Sequence, residues 1–79
     1  MAVLTTTLGA EFTPVTGYFA AQAVNQDAQL WRKSSASAAF VFVGIVPKGY
    51  GLDVYQAVPT AVWKFIAAVG TTVEAAQGV

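Results

Sequence analysis

The stretch Ser37-Ala38-Ala39-Phe40-Val41-Phe42-Val43-Gly44-Ile45-Val46, closed by Pro47-Lys48-Gly49, decides how this chain is read. It is dense in β-branched and aromatic residues. Serine bounds it on one side and proline and glycine on the other, which is the composition of a β-strand. Alternation puts Phe40, Phe42 and Val46 on one face and Val41, Val43 and Ile45 on the other. Both faces are apolar, so both must be covered, unlike those of a half-solvated antiparallel strand. A short chain can cover one face with its own second sheet. The other calls for more protein, and the expectation is a central strand in a small module built to pack against something.

Outward from this strand, the chain breaks into short alternating segments. Pro47-Lys48-Gly49-Tyr50-Gly51 is the strongest turn signal, with two glycines suited to positive φ and Tyr50 at an exposed tip. Leu52 to Val58 alternates. After Pro59-Thr60-Ala61, Val62 to Val69 sets Trp63, Phe65, Ala67 and Val69 on one face. Thr71 to Gln77 closes the series, with Val73 and Ala75 on one face. On the N-terminal side, Ser34-Ser35-Ala36-Ser37 is a small-residue loop. Before it, Ala28 to Lys33 sets Ala28 and Leu30 against Gln29, Trp31 and Lys33. Tyr18 to Val24 reads as its hairpin partner across Asn25-Gln26-Asp27. A helix competes at Tyr18 to Val24 because of its alanines, but only about two turns fit, and so short a helix is marginal. Val62 to Val69 is equally short and rich in β-branched and aromatic residues. Glu11-Phe12-Thr13 is extended ahead of Pro14, and Pro14-Val15-Thr16-Gly17 has turn chemistry. Met1 to Leu8 is either a first strand or an extended arm that orders against a neighbour. Seven or eight short strands with turns every 8–12 residues predict an all-β fold, a small antiparallel β-sandwich or barrel, with residues 1–79 as one domain.

Composition says how such a domain lives. The chain has 79 residues, 56% hydrophobic and only 10% charged, against roughly 25% charged in typical soluble domains. A chain this short buries about 60% of its unfolded surface and is marginal alone. With no cysteine and no histidine, neither disulfides nor a Cys/His zinc site can compensate. Oligomerisation is the remaining remedy, and so few charges imply exposed apolar patches of the kind that mark interaction surfaces. Net charge is zero, which supplies no basic stripe for nucleic acid. No apolar run reaches the roughly 20 residues of a membrane-spanning helix, so no membrane partner is expected. Met-Ala-Val-Leu-Thr-Thr-Thr lacks the features of a signal peptide, and the expectation is a protein not exported by the general route.

Chemistry is sparse. Without histidine or cysteine no Ser/His or Cys/His nucleophile pair can form. Glu11, Asp27, Asp53 and Glu74 are scattered beside turns or on solvent faces and read as solubilising charge, with too few oxygen donors for calcium. None of the seven glycines falls in a phosphate-binding pattern. No cofactor and no enzymatic role are expected. Aromatics are the enriched class: Trp31, Tyr50, Tyr55, Trp63 and Phe65 offer a stacking platform for sugar rings or bases. The simpler reading has Phe19, Phe40, Phe42 and Phe65 filling the core while Trp and Tyr rim an interface. Arg32 or Lys33 then pairs with an acidic neighbour there.

Ala28-Gln29-Leu30-Trp31-Arg32-Lys33-Ser34, then Phe40-Val41-Phe42-Val43-Gly44, Val62-Trp63-Lys64-Phe65 and Thr72-Val73-Glu74-Ala75-Ala76-Gln77 resemble a group of small tailed-phage virion proteins. The resemblance spans Gly17 to Gln77. It departs from the pattern at Ser34-Ser35-Ala36-Ser37, where the group has an Asp-Gly-Gly turn. It implies a β-sandwich that decorates the capsid surface or sits in a head fibre or tail structure, and it brings no catalytic residues. The expectation is therefore a non-enzymatic capsid decoration (cement) protein on the virion surface, made in the host cytoplasm. It would form a homo-oligomer, three copies around a symmetry axis, on the major capsid protein. Interface residues expected are Val3, Leu4, Trp31, Arg32, Val41, Val43, Ile45, Tyr50, Tyr55 and Trp63. The alternative is a carbohydrate- or receptor-binding module of a fibre or tail.

Overall fold

The computed structural model of the protein describes residues 2–14, 18–55 and 61–77. Among these, seven strands and no helix are present: β1 (Ala2–Thr5), β2 (Tyr18–Ala23), β3 (Ala28–Lys33), β4 (Val41–Val46), β5 (Gly51–Tyr55), β6 (Val62–Ile66) and β7 (Val73–Gln77). They form two antiparallel sheets, one of four strands in the order β1-β7-β2-β5 and one of three in the order β4-β3-β6. The molecule is 17 Å deep along its shortest axis, as two sheets about 10 Å apart require. This is a small β-sandwich. The extension of β5 expected beyond Tyr55 and the turn expected over residues 14–17 lie partly outside the described residues.

Alternation builds the core. Phe19, Ala21 and Ala23 of β2, Ala28 and Leu30 of β3, Trp63 and Phe65 of β6, and Val73 and Ala75 of β7 are all buried. Phe19 meets Trp63 edge-on at 5.0 Å and Phe12 edge-on at 5.4 Å, and Phe12 stacks on Phe65 at 5.8 Å. Each such side chain contributes about 1.5–3 kcal/mol of burial. Phe12 reaches the core because its own backbone is tied to the outer edge of β6. Its N–H donates to the Trp63 carbonyl at 2.9 Å, and its carbonyl accepts from the Trp63 N–H at 2.8 Å. The Gly9 N–H donates to the Phe65 carbonyl in the same way, so this edge is closed.

Two connections differ from the sequence expectation. β2 and β3 are not a hairpin: β2 belongs to the four-stranded sheet and β3 to the other. Each has one buried face, so the chain arches from one layer to the other at residues 24–27. Asn25 holds the arch, donating from Nδ2 to the Gly70 carbonyl at 2.9 Å and accepting at Oδ1 from the Thr72 N–H at 2.8 Å. The partners of the turn are therefore on the β6–β7 connection. β4 is likewise not central. It is an edge strand paired only with β3, which is the centre of its sheet. After β4 the chain crosses layers at Pro47–Gly49, where the Gly49 N–H donates to the Ala23 carbonyl. Gly49 takes the positive φ expected of this turn (78°), whereas Gly51 is ordinary strand backbone opposite Gln22.

The decisive departure is inside β4. Leu30 stands opposite Gly44 and Trp31 opposite Phe42, which leaves Val43 as the extra residue of a β-bulge. Val46 and Gly44 share the inner side with Ala28 and Leu30. Regular alternation would have turned Phe42 inward too. The bulge turns it outward beside Trp31. Hence Phe40 and Phe42, expected in the core, are outside it, and Phe12 and Trp63 fill the space instead.

Candidate interaction surface

The outer face of the three-stranded sheet follows row by row from its register. Gln29 of β3 lies between Ile45 of β4 and Ile66 of β6, and Trp31 lies between Phe42 and Lys64. Lys33 stands opposite Val62. Phe42 is 50% exposed, Ile45 46% and Ile66 40%, and Val43 is exposed as well. Trp31 and Phe42 meet edge-on at 5.6 Å. The indole N–H of this patch is satisfied within it, since Trp31 Nε1 donates to Gln29 Oε1 at 3.0 Å. What faces outward is largely apolar. A shallow depression of about 300 Å³ ends the patch, lined by Ile45, Ile66, Gln29, Ala28, Ala67 and Ala68, with Asp27 beside them. The Asp27 carboxylate already accepts from the Lys48 N–H at 2.7 Å.

Lysines border the other end. The Lys64 and Lys33 ammonium groups lie 4.1 and 4.8 Å from the centroid of Phe40, which they cover. Lys33 also pairs with Glu11 at 3.4 Å. Pairing of Lys33 with an acid was expected at an interface with another chain, and here the acid belongs to the same chain.

The expected interface residues divide. Trp31, Val43 and Ile45 come together on β3 and β4, whereas Val41 stands opposite Arg32 and so lies on the other face. Arg32 points the other way, its guanidinium 5.6 Å from the centroid of the Trp63 ring. Trp63 itself is 1% exposed, a core residue that cannot rim a contact in the folded chain. Leu4 packs against the core, while Val3 is exposed on the outer face of the four-stranded sheet, opposite Ala76. β1 pairs with β7 of its own chain, which is the strand rather than the arm. Tyr50 is exposed in the β4–β5 crossing. Tyr55 is 79% exposed, and its ring stands 5.3 Å from that of Tyr18. Phe42, Ile66 and Lys64 were not anticipated here. Ile66 was legible from its alternation with Trp63 and Phe65, but Phe42 was hidden by the bulge.

Among the described residues no three His, Cys, Asp or Glu side chains come together, and no helix is long and apolar enough to cross a membrane. Every buried side-chain polar atom described has a hydrogen-bond partner. Comparison with models of known protein families, with curated proteins and with solved structures finds no match to this chain.

Proposed function

We propose that this protein is a non-enzymatic structural subunit that works by being packed: a capsid decoration (cement) protein of a tailed phage that self-associates and braces the major capsid protein of the shell. One observation carries the reading. Trp31, Phe42, Val43, Ile45 and Ile66 gather on the outer face of a three-stranded sheet, with their few polar atoms already paired. Contiguous exposed apolar surface of this kind marks interaction sites, and the aromatic residues in it are those that anchor contacts between proteins. The sequence resemblance supplies the virion as the assembly. Burial at about 25 cal/mol per Å² would brace a shell without any reaction.

The experiment is native mass and sedimentation of the purified chain, then co-sedimentation with tailed-phage capsids. The chain is expected to self-associate and to pellet with shells. Phe42→Ser combined with Ile45→Thr is expected to weaken both by about tenfold or more with the fold intact. A well-folded chain that stays monomeric and leaves shells alone overturns the reading.

The neighbouring Tyr18 and Tyr55 rings, with Asp53 two residues along β5, support a second reading as a glycan-binding module. Loss of oligosaccharide binding in Tyr55→Ala, with shell binding absent from the native chain, separates it from the first.

A further inference from the structure

The eight charged side chains are four of each sign, and two of the carboxylates, Glu11 and Asp27, lie with the three-stranded sheet. Glu11 is paired with Lys33, and Asp27 accepts from the backbone N–H of Lys48. That leaves Arg32 and Lys64 on β3 and β6, Lys48 in the β4–β5 crossing, and Asp53 and Glu74 on β5 and β7, with no ion pair among the described residues. Asp53 stands opposite Ala20 and Glu74 opposite Gln22, on the rows that alternate with buried Phe19, Ala21 and Ala23. Both carboxylates therefore project from the outer face of the four-stranded sheet, where no lysine or arginine occurs. The outer face of the three-stranded sheet carries Lys33 and Lys64. One side of the sandwich is acidic, with Tyr18, Tyr55 and exposed Val3 as its apolar share. The other is apolar and lysine-bordered.

From this we infer that copies of the chain associate head-to-tail, the four-stranded face of one copy docking on the three-stranded face of the next. The inference rests on the assembly reading above and specifies its geometry. A two-fold contact between identical three-stranded faces would leave Asp53 and Glu74 outside the contact, because both project from the opposite side of the sandwich. The mixed contact sets carboxylates against ammonium groups and buries the same apolar patch. Because the two faces lie on opposite sides of the sandwich, such a heterologous contact propagates as a column. A closed ring of three would need the two patches inclined to each other, so the threefold arrangement expected from the sequence does not follow from this contact.

The test uses the full chain by sedimentation velocity and native mass, with circular dichroism to confirm folding. Two variants reverse one face each: Asp53→Lys with Glu74→Lys, and Lys64→Glu. Each alone is expected to raise the dissociation constant about tenfold or more at low salt. An equal mixture is expected to restore association to within a few-fold of the native chain, because reversed faces then complement each other. Native association is expected to weaken between about 0.01 and 0.3 M salt, as the Debye length falls from about 30 Å to below 10 Å. If the Asp53→Lys/Glu74→Lys chain associates as tightly as the native one, or the mixture stays dissociated, the head-to-tail geometry is wrong while the assembly reading stands. If the native chain does not associate at all, both fail.

Discussion

Trp63→Ala separates a core tryptophan from an interfacial one. Trp63 is 1% exposed, packs edge-on against Phe19 at 5.0 Å, and lies under the Arg32 guanidinium. Its backbone also exchanges two hydrogen bonds with Phe12, so a collapse around the missing indole would strain the closed edge of β6. Truncating a buried aromatic costs about 3–5 kcal/mol, and the lost ring pair about 0.5–1.5 kcal/mol, terms that overlap. About 4 kcal/mol is therefore expected. A 79-residue domain has roughly 4–12 kcal/mol in total at about 0.05–0.15 kcal/mol per residue. The variant should lose about 15 °C or more of melting temperature, or fail to fold cooperatively. Urea titration followed by far-ultraviolet circular dichroism measures the loss. Trp31→Ala is the control: half-buried on the outer face, it should cost about 1 kcal/mol or less in the dissociated chain. A loss below about 1 kcal/mol for Trp63→Ala, or equal losses for the two, would refute the placement of both rings.

Two further substitutions test the connections. Asn25→Ala removes both side-chain bonds to residues 70 and 72 and should cost about 1–2 kcal/mol in urea unfolding, whereas an unanchored hairpin turn would tolerate it. Deleting Val43 should leave Phe42 opposite Trp31, keep the far-ultraviolet spectrum, and change stability by about 1 kcal/mol or less. It should also raise light scattering, since a flat, uncharged edge strand pairs with other strands more readily than a bulged one. Loss of the fold on deletion would show that Val43 is not the extra residue.

How far the sequence could be read depended on what kind of information each feature needed. The alternation of Trp63 and Phe65 with Val62 and Lys64 identified a strand and its two faces, because side-chain direction in a strand is local, but Trp63 was expected at an interface and lies in the core. The same logic set Val73 and Ala75 together on one face, which is the buried one, and Trp31 opposite the inward Leu30. It failed in β4, where one residue out of phase redirects everything beyond it, and Val-Phe-Val is apolar in either phase. Pairing is not local at all. Tyr18–Ala23 and Ala28–Lys33 look like a hairpin by spacing, and only the partners of Asn25 on the β6–β7 connection separate them into two layers. Phe12 was missed as core because its place is given by hydrogen bonds to Trp63, fifty-one positions away along the chain.

The bulge also connects composition to surface. A chain with 56% hydrophobic residues and a thin sandwich has more apolar side chains than its interior can take, and alanine fills much of that interior. Where the surplus goes is then a matter of geometry. Had β4 alternated regularly, Phe42 would have turned inward with Val46, and the outer face would have lost the ring that meets Trp31. The extra residue does the reverse, moving a phenylalanine out of the core and joining it to Trp31, Ile45 and Ile66 on one side. It also disrupts the hydrogen-bonding row of an edge strand that carries no charge to protect it. A single irregularity thus enlarges the apolar face while making the adjacent edge a poorer template for strand addition. That combination favours contact by face over contact by edge, which is the mode that the proposed head-to-tail association uses.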